Sequence, residues 1–451
     1  MAEAGALKLS PMLGQKNNEP SILRRFLSFD HILLLIGFAT CALCGPLPQY
    51  NLILSFILLT CVVLSIRSNT FYVYAALFMY FREFMLLGGS TVYRVYSYLV
   101  IFKVILDIKN VKLRVAALPP MIVFSLFCIF GIGRLDMRAG IQSLMDLVVL
   151  YFILAKILAD DDLMRLYLFV FLLGGVASGI FGWTAEASVN IDVGVGVTTE
   201  ITRVYGALYD ANYAGFYYSV CLLTVMLLKG LKWWMRAAFG AYFFVVLFQT
   251  GSLSGLLTCL VALVLVVIMK YRSRSIPFLV LLFFCLIGFA IAAWNVPAVR
   301  NIAAIGSIVT RVNEKMMYLA LGRWDMLTTG RYDLWQTVVS HFNRQPMLGK
   351  LFGGNVITTL MTDESLFHKD LACHQMYLQS LLNFGIVGAI TIFLSLASTF
   401  VYRIFRFFTV DKRAENSDIK MIQISFVAVF LVFGLSVDYF VDWRFLFFFL
   451  I

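Results

Sequence analysis

The feature that most constrains this chain is the recurrence of long apolar runs that carry almost no charge. Ile53 to Ile66, Leu256 to Met269 and Ile386 to Val401 are nearly charge-free, and many of the stretches that contain such runs reach the roughly 17 to 20 residues a bilayer-spanning helix needs. Hydrophobic residues make up 61% of the 451 positions and charged residues 14%, where a soluble domain carries about 25% charged. A water-soluble core cannot hide that much apolar surface. Backbone groups in lipid must bond within their own segment, so the spans are expected to be helices. The expected fold is all-α, a polytopic membrane helical bundle of about 12 to 14 transmembrane helices with one large external loop.

Spans are predicted near residues 31 to 49, 51 to 66, 71 to 87, 93 to 108, 115 to 131, 141 to 158, 165 to 183, 206 to 228, 237 to 250, 254 to 269, 276 to 294, 384 to 402 and 421 to 440. Arg82 and Glu83 interrupt the third of them. Residues 1 to 30 are polar and read as a flexible cytoplasmic N-terminus, and they lack a signal-peptide pattern. Residues 31 to 451 read as a single membrane domain. The net charge of +11 sits at short connections, among them Arg24, Arg25, Lys109, Lys112, Arg114, Lys229, Lys232, Arg236, Lys270, Arg272 and Arg274. The opposite short connections carry only Arg134, Arg138, Arg203 and Arg444. That asymmetry is the positive-inside pattern, so the basic balance reports orientation and not a nucleic-acid partner. Of the eight cysteines, all but Cys373 fall inside predicted spans, where they act as small apolar side chains.

This alternation leaves two substantial external loops, 183 to 205 and 295 to 383. The second holds His341, His368 and His374, Trp324 and Trp335, and several arginines and lysines. Within it Leu334, Trp335, Val338, Val339 and Phe342 recur at helical spacing, and Pro346, Gly349, Gly353 and Gly354 end that helix in turns. Three groups stand out on the same side: Arg203 with Gly206, Asp210 and Asn212; Gly330 and Arg331 with Trp335; and His374 with Tyr377. Arginine grips phosphate through parallel charge-assisted hydrogen bonds and stays charged at any working pH. Histidine titrates near neutrality and can take a proton from an attacking hydroxyl.

These segments resemble the bacterial O-antigen polymerase and O-antigen ligase superfamily of membrane glycosyltransferases, from about Arg203 to Val401. Arg203-Val204-Tyr205-Gly206 with Asp210-Ala211-Asn212 is similar to the family's R-x-x-G and D-P-N segments, with Ala211 in place of proline. Gly330-Arg331 with Trp335 resembles the pattern opening the large loop, and His374-Gln375-Met376-Tyr377-Leu378 with Gly385-Ile386-Val387-Gly388 the one closing it. Where the family often has an arginine in an S-R-x-G turn, this chain reads Ser252-Leu253-Ser254-Gly255. A phosphate contact carried there by relatives is expected to be absent or supplied elsewhere, with Arg203, Arg323 and Arg311 as candidates.

The resemblance implies transfer of a sugar chain from a polyprenyl pyrophosphate-linked oligosaccharide to an acceptor hydroxyl, on the external face of the cytoplasmic membrane of a bacterium. It implies no metal and no cofactor. Arg331 and Arg203 are expected on the pyrophosphate and His374 on the acceptor proton. Tyr377 would orient the histidine or the glycan, and Trp335 and Tyr332 would stack on sugar, with Asp210, Asn212 and Arg323 lining the site. The partners implied are the lipid-linked donor, membrane lipid and a chain-length regulator protein. Plainer readings stand beside these: Asp210 and Asn212 as helix caps, Tyr377 in an interfacial aromatic belt and Trp335 as packing. A metal site drawn from His368, His374, Asp363, Glu364 and Asp370 matches no known ligand spacing. Polymerase is the favoured activity, with ligase as the alternative. A lipid-linked oligosaccharide flippase or other transporter is the alternative of a different class, supported by Arg82, Glu83, Lys103, Asp107 and Lys156 in or near spans.

Overall fold

The computed structural model describes residues 28–107, 137–184, 188–191, 201–208, 210–328, 331–352, 375–410 and 414–436. Helices dominate, and the only strands among the described residues form two small ribbons. In chain order the first helices are α1 (Phe29–Cys44), α2 (Asn51–Leu64), α3 (Ala75–Phe81), α4 (Val92–Leu106), α5 (Met137–Ile157) and α6 (Asp161–Thr184). Next come α7 (Ala211–Leu227), α8 (Trp233–Gln249), α9 (Leu253–Tyr271) and α10 (Ser275–Asn295). The segment up to residue 352 holds α11 (Pro297–Arg300), α12 (Ala303–Ala320), α13 (Trp324–Leu327), α14 (Arg331–Arg344) and α15 (Met347–Phe352). The last two are α16 (Met376–Thr409) and α17 (Ser417–Phe433).

Among the described residues four segments are long and apolar enough to cross a membrane: α6, α9, α10 and residues Phe384–Thr409 of α16. Three shorter apolar helical segments, Phe29–Cys44, Pro48–Leu64 and Ala211–Leu227, join them. The chain is a polytopic helical membrane protein. Of the apolar window of α6, 72% is buried, against 6% of that of α10, so α6 runs through the centre of the bundle and α10 along its margin. The expected span at 115 to 131 lies outside the described residues.

One expected span takes a different form. Residues 71 to 87 do not make one continuous helix: a 3-10 segment, Asn69–Tyr74, leads into the two turns of α3, and the ribbon of β1 (Leu86–Leu87) and β2 (Ser90–Thr91) follows. Phe71 to Phe81 are buried on every side, which favours a tightly wound core segment over a lipid-facing helix. The charges nearby are held by partners. Arg82 pairs with Asp146 at 2.8 Å, and the Tyr93 hydroxyl donates to the other Asp146 oxygen at 3.0 Å. Lys103 donates to the Ile66 carbonyl and lies over the rings of Phe71 and Tyr72. Polar groups inside a bundle are stabilised by such pairing, so a structural role accounts for two charges on which a transporter reading leaned.

The alternating helices give the bundle two ends. At one end, Arg165 of α6 donates through both terminal nitrogens to Asp418 of α17, and the backbone N–H of Lys229, just past α7, donates to Asp418 as well. At the other end α7 and α9 begin, with their axes forced close by small residues. A Cβ on Gly255 would lie 2.8 Å from the Gly215 Cα, and Ser219 Oγ donates to the carbonyls of both Gly215 (2.7 Å) and Gly255 (2.9 Å). Gly215 and Ser219 face Gly255 and Cys259, a small-xxx-small crossing of the kind that lets helix backbones meet in membranes. Gly255→Val is expected to push α7 from α9 at a cost of roughly 2 to 4 kcal/mol. Its melting temperature in detergent should fall by several degrees, and an unchanged melt would refute the close approach.

Candidate active site

The end where α7 and α9 begin gathers four cations from three separate elements. Arg203 lies on β4 (Ile201–Val204), which pairs antiparallel with β3 (Ser188–Ile191) so that Arg203 opposes Val189. The ribbon packs against α7 and α8 and turns the Arg203 side chain inward, where it is 8% exposed. Its Nε donates to the Thr250 carbonyl at 2.8 Å and its Nη2 to Asn212 Oδ1 at 3.3 Å. Asn212 Oδ1 also accepts from Ser252 Oγ at 3.1 Å. Ser252 is the N-cap of α9, its Oγ accepting from Gly255 N–H. Asp210 is the N-cap of α7, accepting from the N–H groups of Asn212 (2.6 Å) and Tyr213 (3.1 Å). Two capped helix N-termini thus lie beside Arg203, and the dipoles of α7 and α9 add partial positive charge there.

The second cation arrives from α12. Arg311 Nη1 donates to the Gly251 carbonyl, and a Cβ on Gly251 would be 3.6 Å from both Arg203 Nε and Arg311 Nη1. One helical turn on, Lys315 Nζ donates to the Met326 carbonyl at 2.8 Å. The fourth is Arg331 at the start of α14, whose Nη1 donates to the Ser436 carbonyl at 3.0 Å. α14 packs on α16 through Val338 against Leu382, with Trp335, Phe342 and Leu378 around them, and Leu334 is buried as well. Of the apolar positions read from sequence, Leu334 and Val338 are buried and Trp335 and Phe342 half-buried on this face, whereas Val339 is exposed.

These cations feel one another. Burial, then Arg311 and Arg331, lowers Arg203 to about 10 against a lifting effect from Asp210. Burial, then Arg311 and Arg331, brings Lys315 down to about 8, with Glu314 opposing. Arg311 and Arg331 are lowered by burial as well, and Arg331 adds to the effect on Arg311. Glu314 is raised by burial, in opposition to Arg311 and Lys315. Among the described residues, Asp210 and Glu314 are the acids that act on these four cations, so cations outnumber acids within that set. A polyoxyanion placed there would relieve the repulsion and accept from several donors at once.

The Lys315 shift has a signed consequence. From about pH 8 to the ordinary lysine value of 10.5 the unfolded chain holds a proton that the folded chain has lost, so stability without ligand rises with pH across that window. Lys315→Met should flatten this rise in detergent melts between pH 7 and 10. Equal slopes for the two proteins would refute the crowding.

The remaining sequence candidates sit as follows. Tyr377 is half-buried near the start of α16, its hydroxyl donating to the Leu431 carbonyl at 2.6 Å and its ring 4.8 Å from that of Phe393. Trp335 packs in the small apolar cluster beneath α14. Tyr332 and Arg323 are exposed, Arg323 preceding α13. His374 and Gly330 lie outside the described residues, as do His368, Asp363, Glu364 and Asp370 of the metal alternative. The residue after His374, Gln375, caps α16, and Met376 N–H donates to the Gly434 carbonyl at 2.9 Å. Gly434 stands two residues before the Ser436 that Arg331 holds. α16 departs from helical geometry at Gly385, where φ is 67°, a value natural to glycine. The first glycine of the Gly385-Ile386-Val387-Gly388 segment therefore marks the bend where the apolar part of α16 begins. Lys315 was not among the sequence candidates. The available signal was its i+4 spacing from Arg311 on one helix face.

Fold and site together define a polytopic helical membrane protein with a cluster of four cations at one end of its bundle. Residues 238–393 match the family model described as O-Antigen ligase, which supports the resemblance to the O-antigen ligase and polymerase superfamily. The match takes in the Gly251 turn, α12, Arg331 and the bend at Gly385, whereas Arg203 precedes it. No curated protein matches the chain.

Proposed function

We propose that this protein polymerises oligosaccharide repeat units carried on a polyprenyl pyrophosphate, working on the outer face of a bacterial cytoplasmic membrane. The observation that carries the reading is the convergence of Arg203, Arg311, Lys315 and Arg331 at the N-terminal ends of α7 and α9. A pyrophosphate leaving group concentrates negative charge, and a preorganised set of cations stabilises that charge as it develops. An acceptor sugar hydroxyl attacks the anomeric carbon opposite the pyrophosphate oxygen. The new glycosidic bond forms, the old carbon–oxygen bond breaks, and the polyprenyl pyrophosphate leaves with the bonding electrons. His374 takes the hydroxyl proton, and the anomeric centre inverts. Neither a metal nor a cofactor enters this scheme. A chain-length regulator protein is the partner such a polymerase would answer to.

The description of the matching family model favours a second reading, ligation of the glycan to a lipid-core acceptor. One complementation experiment separates the two. In a deletion strain carrying His374→Ala, single repeats still attached to the core on a surface-glycan gel support the polymerase, and loss of all attachment supports the ligase. A transporter would instead leave lipid-linked repeats trapped on the inner face. Normal ladders from His374→Ala would remove the histidine from the reaction.

A further inference from the structure

The turn between α8 and α9 reads Gly251-Ser252-Leu253-Ser254-Gly255, with an apolar side chain where the resemblance expects arginine. A guanidinium nevertheless reaches this turn from a distant part of the chain. Arg311 lies sixty residues away from Gly251 and donates to its carbonyl. That contact uses Nη1, and among the described residues it is the one hydrogen bond of a guanidinium that carries five N–H donors. Lys315 follows at i+4, so both cations project from one face of α12. The helix is braced against α8 and α10, and Lys315 is tied to α13 through the Met326 carbonyl. Arg203 reaches the same turn through the Thr250 carbonyl.

We propose that α12 is the element that grips the donor pyrophosphate in this protein, with Arg311 replacing the arginine absent at Leu253 and Lys315 supplying a second cation beside it. The inference rests on the reading that the donor is a polyprenyl pyrophosphate. It goes further in assigning the grip to two residues outside every motif of the resemblance. It also makes a prediction that a purely structural Arg311 would not: an arginine restored at position 253 should stand in for it.

The test uses the full chain in phosphatidylcholine nanodiscs, with farnesyl pyrophosphate as the probe and its dissociation constant as the readout. Wild type should bind. Arg311→Ala and Lys315→Met should each weaken binding roughly 10- to 100-fold, the effect of losing one hydrogen bond to a charged group. Arg311→Lys, which keeps a charge and a donor for the Gly251 carbonyl, should lose less. Leu253→Arg placed in the Arg311→Ala chain should recover affinity to within about threefold of wild type. Should Arg311→Ala not fold, Lys315→Met and Arg311→Lys decide the matter. Wild-type affinity in Arg311→Ala and Lys315→Met would overturn the role of α12 and leave the donor reading standing. A wild type that does not bind the probe would overturn both. Equal competition by phosphatidylglycerol would assign the cations to a lipid headgroup and overturn the inference as well.

Discussion

Arg331→Ala is expected to abolish the polymeric ladder on a surface-glycan gel while the protein stays folded and inserted. Arg331 stands at the first position of α14, and its one described side-chain hydrogen bond, to the Ser436 carbonyl, engages a single nitrogen. Losing that bond costs about 1.5 to 3 kcal/mol of stability, whereas removing a preorganised donor to developing charge typically costs 10²- to 10³-fold in rate. Arg331→Lys should retain part of the activity, because it keeps the charge and loses the planar fork. Arg344→Ala and Lys350→Ala provide the contrast. Both cations lie farther along the same segment, Arg344 in the last turn of α14 and Lys350 in α15, and substitution there should leave the ladder intact. A full-length ladder from Arg331→Ala at matched protein level would exclude Arg331 from the site.

The membrane class was legible because hydropathy acts along the chain and each apolar run reports its own environment. Positions from α6 to α10 follow the same logic, since their runs are bounded by charged or glycine-containing turns. The segment from Phe71 to Gly88 was not legible in this way. Its aromatic run looks like a lipid-facing span, but its burial comes from helices on every side, which a local window cannot register. Arg203 and Arg331 were legible through short motifs. Lys315 was not, because a lysine in a long polar loop looks like any solvated charge until α12 docks against α8. Asp210 kept both of its readings in sequence, and the structure gives it a cap and a coulombic partner role together: it accepts from two N–H groups while lifting Arg203 and Arg331. Tyr377 shows the opposite case. Its place beside His374 suggested the glycan, yet its hydroxyl donor is engaged by the α17 backbone, a partner more than fifty residues away.

Asp418→Ala is expected to destabilise the protein by about 3 to 5 kcal/mol, the usual effect of removing one partner from a buried ion pair. Asp418 is 1% exposed and accepts from both terminal nitrogens of Arg165 and from Lys229 N–H. Alanine would leave a guanidinium and a backbone donor facing one another with no acceptor between them. Asp418→Asn keeps one acceptor oxygen and should lose less. If the cost lies in the stranded charge, Arg165→Met combined with Asp418→Leu should be less harmful than Asp418→Ala alone, a non-additivity that a double-mutant cycle detects. Melting in detergent measures all three, and an Asp418→Ala chain within about 1 kcal/mol of wild type would refute the pairing. The effect should extend to function, because the first turn of α7 carries the Asn212 that accepts from Arg203 and the chain leaving α17 carries Ser436 to Arg331. A loosened junction at one end of these two helices shifts the groups that orient both arginines at the other. Glycan transfer should therefore weaken in Asp418→Ala even where the protein persists, and the double variant, which restores packing, should recover it.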